Sequence, residues 1–202
     1  MRSRTTLVTL AGAALLFAGG CTGDTEAPAG PAATQAEPEG KHDMPPPVAV
    51  TVDDPSAPVT LTIDGVSAPT DPVATDAAGA LLPPQDVARL GWWADSALPG
   101  SGAGSIVVTG HIDDAAQGAG FAARFVELDV GDEVTVSSAD GSARQYRVDR
   151  VVSVGKDDDL PLGEVNRLDG PETLLLITCG GEFVGPPTGY ANNDFVFAAP
   201  VS

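Results

Sequence analysis

The sequence predicts a mainly β, all-β-class fold, a small closed barrel or sandwich. Three observations carry this. Short strand-like runs follow one another at short intervals, separated by Gly, Pro and Asp turns, with few helical stretches between them. Aromatics make up only 5% of the chain, while Gly (24) and Pro (18) are abundant, a balance that suits a loop-rich β domain better than a helical bundle. The stretch from residue 59 to 202 is long enough for one hydrophobic core, and it shows neither an internal repeat nor a second domain.

Taken in order, residues 59–63 (Val-Thr-Leu-Thr-Ile) alternate at period two before an Asp64-Gly65 turn. Residues 85–90 are expected to form one or two helical turns, and Trp92 and Trp93 read as packing residues rather than a ligand cage. A Gly-rich loop at 99–104 feeds a strand at 105–109. A helical turn is expected within 121–128, then a turn at Val130-Gly131-Asp132 and a strand at 133–137. Asp140-Gly141 is a hairpin signal, followed by a long strand at 143–154. Asp157-Asp158-Asp159 lacks the alternating spacing, central glycine and terminal Glu of a calcium loop and reads as a solvated loop. Leu174-Leu175-Leu176-Ile177 then runs into Thr178-Cys179-Gly180-Gly181, which predicts a buried strand delivering its last residue to a loop mouth. A Gly- and Pro-rich loop at 180–189 leads to a last strand at about 193–198.

The amino terminus reads as an address. Arg2 and Arg4 precede an uncharged apolar stretch, residues 7–20, shorter than the roughly 20 residues a membrane span requires. It ends Phe17-Ala18-Gly19-Gly20-Cys21, small residues before a cysteine as in a bacterial lipobox, although Ala18 stands where a larger aliphatic is usual. Lipidation of Cys21 is the expected outcome, with ordinary cleavage or an uncleaved anchor as the alternatives. The expected organisation is a signal peptide over 1–20, a disordered Pro-, Ala- and acid-rich tether over 21–58, and a folded domain over 59–202. Such a tether would reach roughly 30–37 Å. His42 within it reads as a solvated surface residue.

The chain carries 28 acidic and 10 basic residues, a net charge of -18. A phosphate-backbone binder needs clustered Lys and Arg, so nucleic acid is not an expected partner. An amine-bearing partner suits the charge better.

With Cys21 assigned to lipid, Cys179 is a single thiol in an exported chain, which calls for an explanation. His111 is the only histidine of the expected domain and follows a strand in Thr109-Gly110-His111-Ile112-Asp113. A nearby imidazole can take the thiol proton and later return it to a leaving amine. On spacing alone a nucleophilic dyad and a buried Cys with a core His both remain open.

The two segments together resemble the sortases, cysteine transpeptidases of Gram-positive surfaces, and most closely the actinobacterial class F. Leu175-Leu176-Ile177-Thr178-Cys179 is similar to the family's Thr-Leu-x-Thr-Cys motif, Gly180-Gly181 is typical of class F, and Gly110-His111-Ile112-Asp113 matches Gly-His-x-Asp. The resemblance covers residues 59–201. It implies a closed eight-stranded β-barrel with short helical turns, Cys179 as nucleophile, His111 as the acid for the departing amine, and Asp113 as an orienting or groove-lining residue. It implies a Leu-Pro-x-Thr-Gly-type sorting-signal peptide as substrate and an amine acceptor on cell wall or protein. The expected location is the outer face of the membrane, held by the lipid anchor, and no cofactor or metal is implied. One departure is plain. Where class F reads Tyr-Arg-Asp-Asn, this chain reads Tyr190-Ala191-Asn192-Asn193, and no arginine follows Arg167. Ala191 or, in a shifted register, Asn193 takes the place of the arginine that stabilises the oxyanion. Arg124, Arg144, Arg147 and Arg150 are the candidates to fill the gap. The alternative function is a catalytically impaired relative that binds a peptide or cell-wall fragment.

Overall fold

A computed structural model describes residues 45–201. Cys21, His42, the expected signal peptide and the first part of the expected tether lie outside the described residues. Among the described residues no helix is long and apolar enough to cross a membrane.

The elements in chain order are β1 (Val48–Ala49), β2 (Pro58–Ile63), β3 (Val66–Ala74), β4 (Leu90–Trp93), β5 (Ser105–Thr109), β6 (Asp113–Asp114) and β7 (Gly118–Ala119). A 3₁₀ helix (Phe121–Glu127), β8 (Glu133–Ser138), β9 (Ala143–Gly155), the single-turn α1 (Leu162–Val165), β10 (Thr173–Gly185) and β11 (Gly189–Pro200) follow. Eight strands run in the order β3–β2–β8–β9–β11–β10–β5–β4, and β4 pairs back onto β3, closing a barrel. The β5–β10 and β3–β4 pairs are parallel and the other pairs in the barrel antiparallel. β1 lies within the stretch expected to be tether, yet it pairs with β3, and Val52 packs against the core.

Alternation at period two sorts the side chains. Leu61, Ile63, Ile106, Val108, Val134, Val136, Leu174, Leu176 and Val196 fill the barrel, and Phe121, Ala122 and Phe125 of the 3₁₀ helix join them. Val107, Leu175, Phe195 and Phe197 face outward, where Val165, Leu160 and Leu81 pack against them. β10 is therefore buried on both faces over Leu174–Leu176, which is why it reads as an unbroken apolar run. Trp92 is fully buried in the core, as its reading as a packing residue expects.

Two expectations are corrected. Residues 85–90 form a turn, not a helix: Asp86 accepts bonds from Ala88 N and Arg89 N (2.9 and 3.0 Å). Arg89 then pairs with Asp71 of β3, drawing the chain into the sheet at Leu90. Cys179 does not end its strand, and residues 180–189 are not a loop. β10 and β11 continue to Gly185 and restart at Gly189, with a register shift between Gly180 and Phe183. Gly181 there takes φ +72°, a value L side chains rarely adopt, so the glycine serves a bulge within a hairpin.

Candidate active site

Cys179 stands midway along β10, at the level where its parallel neighbour β5 has just ended. The last ladder pair is Thr109 with Ile177. Beyond it Gly110 N donates to Ile177 O (3.2 Å), and the Thr178 hydroxyl donates to Gly110 O (2.9 Å). These two bonds keep the chain beside β10 for one further residue, Gly110, and His111 follows it. Gly110 is needed for this: a Cβ there would lie 2.5 Å from Leu90 Cδ2 and 2.7 Å from Ala122 Cβ. A side chain at that position would push the His111 segment off the barrel.

On the other flank Cys179 pairs with Asn193 of β11, and Asn193 pairs with Val154 of β9. Residues paired across strands share a face, so the outer surface forms rows. One row reads Val107, Leu175, Phe197, Arg150 and the next Thr109, Ile177, Phe195, Val152. The third is Cys179, Asn193, Val154, and His111 lies two residues past the Thr109 that ends the β5 side of the second row. The first row is roofed by Val165, whereas Cys179 and His111 are only half-buried. The thiol is free.

Burial lowers the proton affinity of His111, and the charges of Asp114 and Asp113 oppose that effect only in part. The imidazole is therefore neutral at neutral pH, the form that accepts a thiol proton. No described residue hydrogen-bonds the His111 ring. Asp113 lies close enough to act on it electrostatically, but its carboxylate accepts the Tyr190 hydroxyl at 2.5 Å.

Of the candidate residues, Cys179 and Asn193 are paired neighbours, and His111 and Asp113 lie on the segment that leaves the adjoining β5. The arginines do not join them. Arg147 is paired with Glu133 (2.7 Å) and Arg150 with Glu164, the latter stacked 3.7 Å over the Phe197 ring. Arg150 lies roughly 13 Å along β9 from the level of Cys179. Arg124 sits on the 3₁₀ helix, 5.9 Å from the Phe121 ring, and Arg144 lines a cavity of about 590 Å³ with Gly100, Glu172 and Val201. That cavity lies around the start of β10, roughly 20 Å from the thiol, too far to take part in chemistry there. Lys156 adjoins Ala191: its backbone N donates to Ala191 O (3.0 Å) and its amine donates to Thr188 O (2.9 Å).

The sequence shows Thr178 and Tyr190 only as members of motifs and gives neither a role of its own. Thr178 is the residue before the thiol, but only the parallel pairing with β5 shows what its hydroxyl holds. Tyr190 directly follows the Gly189 that begins β11, and an aromatic in that position signals packing rather than a link to the histidine segment.

A family model for the sortase domain matches residues 61–201. Among solved structures the chain is similar to sortase C-1 from Actinomyces oris: TM-score 0.55, 23% identity, covering 71% of this chain and 73% of that one. It is likewise similar to sortase C1 from Streptococcus agalactiae (0.55, 21%, 75% and 71%). A lid mutant of sortase A from Corynebacterium diphtheriae is a third (0.51, 24%, 72% and 71%). At these identities the likeness to solved structures carries the fold alone. No curated protein sequence gives a significant match.

Proposed function

The chain belongs to the sortase family, and on that premise we propose that it is a class F-like, exported cysteine transpeptidase. Its substrate would be a Leu-Pro-x-Thr-Gly-type sorting signal. The observation that carries this is a free, half-open thiol on β10, paired with Asn193 of β11 on one side and flanked on the other by the His111 segment following the parallel β5. In the first step the Cys179 thiolate attacks the Thr–Gly carbonyl and the C–N bond breaks. His111, having taken the thiol proton, returns it to the departing amine. An acceptor amine then attacks the thioester, gives up a proton to His111 and releases the Cys179 thiolate, which His111 can reprotonate. Asn193 would donate its amide N–H to the oxyanion in place of the family arginine, a contribution on the order of 2.7–4 kcal/mol for one such donor. We further propose that Cys21 carries the lipid anchor, that residues 21–44 tether the barrel to the outer face of the membrane, and that the barrel's acceptor is an amine of cell wall or protein. The Gly180-Gly181 pair after the thiol supports class F.

The test uses the full chain purified in detergent and incubated with a sorting-signal peptide, read by intact mass. An acyl adduct on Cys179 that disappears on adding a small amine, and that Cys179→Ala abolishes, is the expected result. No adduct, with a thiol inert to alkylation until the protein unfolds, overturns the enzyme reading and favours peptide binding. Restoring arginine as Ala191→Arg or Asn193→Arg asks which position faces the reaction. The gain is expected at the position whose arginine reaches the oxyanion, and at one only. Incorporation of a tagged fatty acid in cells, lost in Cys21→Ser, tests the anchor.

A further inference from the structure

The His111 ring makes no hydrogen bond to any described residue, so its position depends on what holds its backbone segment. The segment leaves β5 after Thr109, makes the short β6–β7 hairpin, and returns at Gly120, whose N donates to Ile112 O (2.8 Å). On one flank it is tied by Gln117, which donates to Gln85 O (2.8 Å) and accepts from Val87 N (3.3 Å). On the flank facing the thiol the tie is Tyr190, whose hydroxyl donates to Asp113 Oδ2 at 2.5 Å. Asp113 is two residues after His111. Tyr190 is on β11, three residues before the Asn193 that pairs with Cys179. Its ring is fixed by an edge-to-face contact with Phe183 across the hairpin, centroids 5.3 Å apart.

We propose that Tyr190 and Asp113 form a clasp that fixes the His111 segment against the Cys179-bearing hairpin, making Tyr190 a positioning residue for proton transfer between thiol and imidazole. The inference rests on the reading of Cys179 and His111 as the catalytic pair. The clasp persists across the neutral range, because the bond to Asp113, then burial and the charges of Asp113 and Cys179, hold the Tyr190 phenol up to about 12. The same bond keeps the Asp113 carboxylate turned to the phenol. The charged groups acting on His111 are Asp114 and Asp113 from β6.

The variants are Tyr190→Phe, Asp113→Ala and Asp113→Asn in the full chain in detergent. Two readouts are taken: the rate of peptide acylation at Cys179, and the His111 titration followed by NMR. Tyr190→Phe keeps the ring on Phe183 and removes only the hydroxyl. It is expected to slow acylation about tenfold, since small misplacements of reacting groups cost that much or more, and to raise the His111 midpoint as Asp113 is freed toward it. Asp113→Ala is expected to slow acylation similarly. Asp113→Asn keeps an acceptor for the phenol, so its rate is expected to stay within about threefold of wild type while the His111 midpoint falls. Unchanged acylation in Tyr190→Phe, or an unmoved His111 midpoint there, overturns the clasp while leaving the enzyme reading intact. If the wild type forms no acyl-enzyme, the enzyme reading fails, and the His111 midpoints alone decide whether Tyr190 governs that segment. Should Tyr190→Phe fail to fold, the contrast between Asp113→Ala and Asp113→Asn decides the question.

Discussion

Thr178→Val is the substitution that isolates how the thiol strand holds the histidine segment. Threonine and valine have nearly the same shape, and Thr178 is 3% exposed on the barrel side of β10. The change therefore leaves packing intact and removes one group, the hydroxyl that donates to Gly110 O at 2.9 Å. That carbonyl then stays buried without this donor. The loss of the bond and the stranded acceptor together cost about 1–3 kcal/mol. For a domain of this size each kcal/mol lowers Tm by roughly 2–4 °C, so a fall of about 4–8 °C is expected for a loss near 2 kcal/mol. Thr178→Ser keeps the donor and loses one methyl, about 0.8 kcal/mol, and should fall by less. The functional effect should exceed the thermal one: Gly110 precedes His111, and a shift of about 1 Å at a reacting group can cost 10²-fold in rate. Thermal melts followed by circular dichroism and acylation measured well below Tm separate the two effects. If Thr178→Val melts within a degree of wild type, or if Thr178→Ser is no better than Thr178→Val, the hydroxyl is not the tie.

Three further substitutions test the same geometry. Gly110→Ala places a methyl 2.5 Å from Leu90 Cδ2 and 2.7 Å from Ala122 Cβ. Overpacking of this kind costs about 1–3 kcal/mol, and a chemical denaturation curve with an unchanged midpoint would refute it. His111 has its folded proton affinity lowered by burial, so its contribution to stability is present above the ordinary value of about 6.5 and is lost as pH falls through that value toward the lowered one. His111→Gln should therefore lose less Tm than wild type between pH 7 and pH 5, and parallel Tm curves would contradict the assignment. Glu172, 7% exposed, accepts from Gly100 N (3.0 Å), Gly102 N (2.6 Å) and Tyr146 Oη (2.7 Å). Glu172→Gln puts an NH2 that cannot accept where one of these oxygens was, so at least one charge-assisted bond is lost at a cost of about 1.5–3 kcal/mol, while acylation per folded molecule stays at wild-type level. A selective loss of acylation would tie that end of the barrel to the site.

The elements that the sequence made legible are those whose signal is local. The strand at 105–109, the hairpin at Asp140-Gly141 and the long strand from Ala143 are marked by alternation and turn residues, and each appears with its expected position. The errors arise where one residue type serves two purposes. Gly180, Gly181, Gly185 and Gly189 read as a loop because glycine usually frees the chain, but here they accommodate register shifts while the two strands go on pairing. Residues 85–90 read as helical because nothing local shows that Arg89 is anchored to Asp71 across the barrel seam.

The site shows the same division more sharply. Cys179 and His111 stand out as residue types, and the motifs around them point to a family. What neither composition nor spacing can supply is the register between strands. Three facts depend on it: Thr109 pairs with Ile177, so the His111 segment leaves β5 beside the strand that carries the thiol; Cys179 pairs with Asn193 rather than Ala191; and β11 begins where Tyr190 can reach Asp113. Shifting β11 by one residue against β10 would turn Asn193 to the barrel side and bring a neighbour outward, because side chains alternate faces at every step. That register is fixed by Val196 and Ala198 inside the barrel and by Phe195 and Phe197 outside it, four buried residues that permit one alignment. The amide beside the thiol is thus held by hydrophobic packing further down the same strand. A substitution that loosens the packing, such as Phe195→Ala, should disturb the Cys179 row without touching any residue in it.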